Sequence, residues 1–165
     1  MRRNPTYTDV SDADLRAQYA LATQIRDRVT EANDAVVRIR DVKSQVADRL
    51  KKSTDAQLKT RGDTLTTHLG GVEEDIYQVR NQSGQDPLNF PIKINNRIAS
   101  LLGVVSNTDA KPIASAYPIF TDLKAELKVH TDRLQRLLTT EVTPFNLELK
   151  RVGLEPLVMK NAAVQ

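Results

Sequence analysis

From Ser11 to Lys52 the chain contains neither proline nor glycine, and within that stretch its apolar residues keep a seven-residue period. Leu15, Ala22, Val29, Val36 and Leu50 fall on one position of the repeat and Ile25, Ala32, Ile39 and Val46 on a second, which is the heptad seam of a long amphipathic helix. Only Lys43 and Gln18 interrupt it. Ser11 and Asp14 form an S-x-x-D capping box at its start, with Val10 and Leu15 placed as a hydrophobic staple. A helix running to about Leu50 would be about 58 Å long at 1.5 Å per residue. A stripe of that length needs partner helices to cover it.

Basic residues at Lys51-Lys52, followed by Thr54 with Gln57 as a second capping box, place a turn near Ser53. A continuous helix through this point is the rival reading. The next segment carries Leu58, Leu65, Leu69, Val72, Ile76 and Val79 at helical spacing and can lie antiparallel along the first. Gly62, Gly70 and Gly71 each cost about 1 kcal/mol in a helix interior, so they mark close backbone approach or a local break. Asn81 to Phe90 reads as a loop, and Pro91 suits the first turn of a short third helix with Ile94, Ile98, Leu101, Leu102 and Val105.

Asp109 is placed to cap a fourth helix, with Pro112 in its first turn and Pro118 kinking it near its start. Its apolar face is Ile113, Phe120, Leu123, Leu127, Leu134, Leu137 and Leu138. Thr143-Pro144 either kinks that helix again or begins a fifth, with Phe145, Leu149 and Val152 inward and Gly153 as the stop. The residues beyond this stop read as a frayed tail. No stretch alternates with period two and no solenoid-length repeat is present. The expected fold is therefore all-α: a helical bundle built on a long antiparallel helical hairpin with two or three shorter helices, one domain over residues 1–157 and a tail over 158–165.

Composition narrows the function. The 24 Lys and Arg against 21 Asp and Glu leave a net charge of +3 with the signs interspersed, a solvated surface pattern and not a polyanion-binding stripe. Aromatic residues make up 4% of the chain and Trp is absent, too few for a base-stacking platform, so nucleic acid is not an expected partner. No apolar run approaches the roughly 20 residues that span a bilayer, and the residues after Met1-Arg2-Arg3 are polar where a signal peptide would have its apolar core. Membrane insertion is not expected. Without cysteine, the redox compartment leaves no trace and localisation stays open, secretion or the periplasm included.

The run Asn89-Phe90-Pro91-Ile92-Lys93-Ile94-Asn95-Asn96-Arg97-Ile98-Ala99-Ser100-Leu101-Leu102-Gly103 resembles the C-terminal helical region of bacterial sortilin-like (VPS10-type) β-propeller proteins, also described as BNR-repeat or glycosyl-hydrolase-like. Gln24-Ile25-Arg26-Asp27-Arg28-Val29 with Arg38-Ile39-Arg40, and Pro144-Phe145-Asn146 with Gly153-Leu154, are similar to other parts of that region. The resemblance covers most of residues 3–157 and implies that a large propeller precedes this piece in a longer protein. It carries no catalytic residue onto this chain, and no Asp-box motif with its Trp is present.

Four groups of residues merit inspection as sites. Glu126 and His130 lie one turn apart and could form half of a metal site, but no Glu-x-x-His or second histidine partner accompanies them, and an edge-of-core histidine is the expected role; His68 is a weaker candidate still. Glu73-Glu74-Asp75 cannot converge on one substrate, because adjacent helical residues point apart; a solvated face is expected. Gly70-Gly71 lies inside a helical pattern, where it cannot act as a phosphate loop, and no Gly-x-Ser-x-Gly motif occurs. Lys93, Asn95, Asn96 and Arg97 could form a small anion or partner patch.

The expected function is a non-catalytic structural or protein-interaction domain, oligomerisation included, whose partner is its own β-propeller or a second copy of itself. No cofactor, metal or catalytic residue is expected. A small-ligand or anion-binding bundle using Lys93 and Arg97 is the alternative.

Overall fold

The computed structural model describes residues 10–81, 89–107 and 109–159. The expected loop at Asn81 to Phe90 lies mostly outside them. Within the described residues every regular element is a helix: α1 (Asp12–Lys51), α2 (Ala56–Ile76), α3 (Ile94–Ser106), α4 (Ala116–Thr140) and α5 (Val142–Arg151). The all-α bundle is as expected. The propeller-derived descriptions, BNR repeat and glycosyl-hydrolase-like fold, are corrected for this chain, since a propeller is built of strands and the described residues contain none.

Helix α1 begins where the capping box places it. The Ser11 hydroxyl accepts the Asp14 N–H at 3.1 Å, and Asp14 accepts the Ser11 N–H at 3.2 Å. Its forty residues span about 60 Å. The chain then turns, so the hairpin and not the continuous helix is formed. The second cap lies one residue beyond the expected Thr54: Asp55 accepts the Leu58 N–H at 2.8 Å, while Ser53 accepts the Asp55 N–H inside the turn.

Contacts along the helices set the topology. Gly62 faces Leu50, Gly70 faces Lys43 and Glu73 bonds Arg40, so α2 runs antiparallel over the second half of α1. Over the first half, Gln18 bonds the Val105 carbonyl and Arg26 lies across a groove from Ala99, so α3 takes over as partner, again antiparallel. Helix α4 lies parallel to α1, with Ala17 near Tyr117 and Gln24 near Lys124, and packs on both α2 and α3. Helix α5 continues beside α2, where Arg151 meets Asp55. The result is an up-down-up bundle of three rods: α1 unbroken, α2 with α3, and α4 with α5.

Packing against two rods instead of one widens the α1 stripe. Ile25, Ala32, Ile39 and Val46 are buried as the heptad predicts, but Leu21, Ala35 and Val42 join them, while Leu15, Ala22, Val29 and Leu50 are only partly covered. Two seam interruptions are polar contacts across the bundle. The buried Gln18 amide donates to the Val105 carbonyl at 2.7 Å, and Lys43 reaches Glu73 at 3.0 Å.

The glycines of α2 do not break it. At Gly62 a Cβ would lie 2.9 Å from a Leu50 methyl and 3.2 Å from the Phe145 ring, so the close approach of the Leu50 and Phe145 side chains to α2 is the reason for glycine there. Val79, expected on the α2 stripe, lies beyond the helix and is exposed, because α2 ends at Ile76.

The starts of α3 and α4 differ from expectation. Pro91 precedes α3 instead of opening it, and Lys93 is the N-cap. Asp109 and Pro112 precede α4, and Ile113 is exposed. Pro118 falls in the first turn of α4, where its missing N–H has no intrahelical acceptor to lose. At the other end, Glu141 separates α4 from α5, and Gly153 at φ 75° closes α5 with a Schellman motif in which the Leu154 N–H bonds the Leu149 carbonyl at 2.8 Å.

The stretch after Gly153 is not frayed over 154–159. Leu157 is buried in the core, its N–H donates to Asn146 of α5, and the main chain of Val158 is bonded to Gln45 of α1.

Candidate functional site

Two kinds of place could do work in a filled bundle: polar groups carried into it and grooves left open on it. The first kind centres on Glu73. Its carboxylate is 6% exposed, accepts from Arg40 Nε at 2.6 Å and from Lys43 Nζ at 3.0 Å, and lies beside Tyr77, over whose ring the Arg40 guanidinium sits at 5.0 Å. Burial pushes the Glu73 pKa up, but the two cationic hydrogen bonds outweigh it and hold it below the ordinary glutamate value. An ionised carboxylate with both oxygens occupied by fixed cations is a strut between α1 and α2, not a proton donor or nucleophile. The solvated face expected for Glu73-Glu74-Asp75 is thus corrected at Glu73. Glu74 is exposed, and Asp75 turns to Arg133 of α4 at 2.9 Å, so the three splay apart as helical geometry requires.

Glu126 and His130 do not share a ligand position. Glu126 is held by Arg97 Nη1 with both oxygens, at 2.6 and 2.8 Å, while His130 faces Asp75 at 3.7 Å. Among the described residues no three His, Asp or Glu side chains come together as metal ligands. His68 bonds Glu141 at 2.7 Å across the α2 and α4 surface.

The Lys93, Asn95, Asn96 and Arg97 group is only partly brought together. Asn95 is buried and its side-chain oxygen accepts the Asn96 N–H at 2.8 Å. Arg97 is committed to Glu126 and Lys93 caps the helix without a side-chain bond. An anion arriving here would have to displace a bidentate carboxylate from Arg97.

The open grooves flank the first turns of α1. One, between α1 and α3, has a volume of about 520 Å³ and is lined by Tyr19, Ala22, Ala99, Leu102, Gly103 and Ser106 among others. The other, about 390 Å³, lies between α1 and α4 beside Ala17, Ala20, Tyr117 and Phe120. Alanines and Gly103 leave both grooves shallow: a Cβ on Gly103 would meet nothing within 4 Å. Tyr19, on the α1 side of the α1 and α3 groove, is 60% exposed. From Ile98 to Asn107 α3 and its cap carry no charged residue. Sequence reasoning missed these grooves, although Ala17, Ala20, Ala22, Ala99 and Gly103 were legible as small residues at helical spacing.

No family model matches this chain, and neither a curated protein nor a solved structure matches it. The chain is a helical domain held by internal ion pairs and hydrogen bonds.

Proposed function

We propose that this chain is a non-catalytic protein-interaction domain that associates with a second copy of itself through the face formed by the first half of α1 and α3. One observation carries the reading: inward-facing Gln18 and Glu73 are bonded within the bundle, whereas the α1 and α3 groove leaves Tyr19 of α1 and the open Cα of Gly103 toward solvent, with no charged residue on α3 from Ile98 to Asn107. A large aromatic side chain beside small residues is the composition of a contact in which one helix approaches another closely. A two-fold arrangement would bring the same face of each copy together.

The test separates folding from association. Gly103→Ala is expected to raise the stability of the chain by about 0.5–1 kcal/mol, because it removes backbone freedom from the unfolded state where the fold leaves room for a methyl group. Tyr19→Asp, at an exposed position, is expected to leave the melting temperature within about 2 °C of the parent yet abolish the dimer in light scattering. A parent chain that stays monomeric at hundreds of micromolar, or a Tyr19→Asp variant that still dimerises, would overturn the proposal.

A further inference from the structure

The last described residues reveal a second place for contact. After Gly153, residues 154–159 form no helix or strand and lie against α5 and α1, and four of their main-chain groups are bonded by side chains. Arg49 Nε donates to the Glu155 carbonyl at 2.9 Å, and Asn146 Oδ1 accepts the Leu157 N–H at 2.8 Å. Gln45 binds Val158 on both sides of the residue, accepting its N–H at 2.8 Å and donating to its carbonyl at 2.9 Å. The same Gln45 amide donates to Asp41 at 2.8 Å, which holds it in the orientation that matches a peptide unit. Leu157, 5% exposed, is the one side chain of the segment that is fully inserted, with Leu154 and Met159 packed partly against the core.

Helix α5 packs on α2 and α4 and not closely on α1, so this segment fills the gap between α1 and α5. Recognition by main-chain bonds with one apolar anchor is how proteins take extended peptides. Unlike a helix of the bundle, this segment is held mainly by side chains: among the described residues, its one main-chain to main-chain bond is from the Leu154 N–H to the Leu149 carbonyl. It leaves the end of α5 through Gly153, at φ 75°. We infer that the cleft between α1 and α5 is a binding site for an extended peptide with a leucine anchor, occupied here by the chain's own residues 154–159 as a releasable latch and able to take the same segment from a second copy. Attachment through Gly153 gives the segment a high local concentration, so a competitor meets an occupied site until the latch opens. This cleft lies at the α5 end of the bundle, away from the α1 and α3 groove, and stands or falls independently of the association proposed above.

The experiment uses the full chain carrying Leu157→Asp, which weakens the latch without altering Gln45, Arg49 or Asn146. Titrating it with the synthetic hexapeptide Leu154–Met159 should give saturable NMR shift changes centred on those three residues. The chain carrying Gln45→Leu as well should show at least a tenfold weaker response. Absence of binding to a variant that keeps its helical circular dichroism would overturn the site, and so would collapse of the Leu157→Asp chain, since a segment needed for folding is not a latch. In the unaltered chain, the Leu157 and Val158 amides should exchange with solvent at least a hundredfold faster than buried amides of α1. Equal rates would show that the segment opens only with the whole fold and would overturn the latch.

Discussion

Replacing Ile39 with Asp is expected to lower stability by about 4 kcal/mol or more, enough to lower the melting temperature by about 10 °C in a chain of this size. Ile39 has no exposed surface and sits in the middle of α1. The new carboxylate would lose its water at a fully buried apolar position, and Lys43, one turn further along the helix, is engaged by Glu73. Val37→Asp, two residues away at a position 65% exposed, should change stability by no more than about 0.5 kcal/mol. Thermal melts followed by circular dichroism check both. Equal melting temperatures for the two variants would mean that α1 does not bury the Ile39 face.

Glu73→Leu should destabilise the chain by about 2 kcal/mol, less than the 3–5 kcal/mol typical of breaking a fully buried pair, because Arg40 and Lys43 are partly exposed and recover some hydration. Adding Lys43→Leu should recover most of that loss, since the two apolar side chains can pack where the ion pair stood. A double variant no more stable than Glu73→Leu would show that Lys43 and Glu73 are not coupled. The pH dependence has a definite sign. The Glu73 pKa is lowered by folding, so the unfolded chain binds this proton more readily and the strut contributes its stability above the ordinary glutamate value. That contribution is lost as pH falls through the folded-state value. The parent chain should therefore lose more stability on acidification than Glu73→Leu/Lys43→Leu does.

Much of this architecture was legible residue by residue. The Ser11 and Asp14 box placed the start of α1, the absence of Pro and Gly carried it to Lys51, and Gly153 marked the end of α5. The starts of α3 and α4 were harder to read, because proline fits a first turn and the loop before it equally well. Neither Lys93 nor Ser115 makes a side-chain cap bond, so the sequence held no local signal for the boundary.

The candidate sites were read less well, and the reason is physical. Lys43 and Gln18 were visible as polar breaks in an apolar seam, but Glu73 is thirty residues from Lys43 and Val105 is eighty-seven from Gln18. An interrupted seam signals that a partner exists without saying which residue it is. Arg97 looked available beside Lys93 because its partner, Glu126, lies on another helix.

What the sequence determined by itself is everything governed by neighbours within a turn or two: helix type, the caps at Ser11 and Gly153, and the apolar stripe that obliges α1 to find partners. The tertiary structure alone decided that two rods share α1, which widens its buried stripe to Leu21, Ala35 and Val42. It decided that Glu73 is buried instead of solvated, and that residues 154–159 are held against a glutamine 113 residues earlier. Capping and periodicity are local free energies written in adjacent residues, whereas burial and ion pairing depend on which distant surfaces meet, and a polar residue's role changes sign with that meeting.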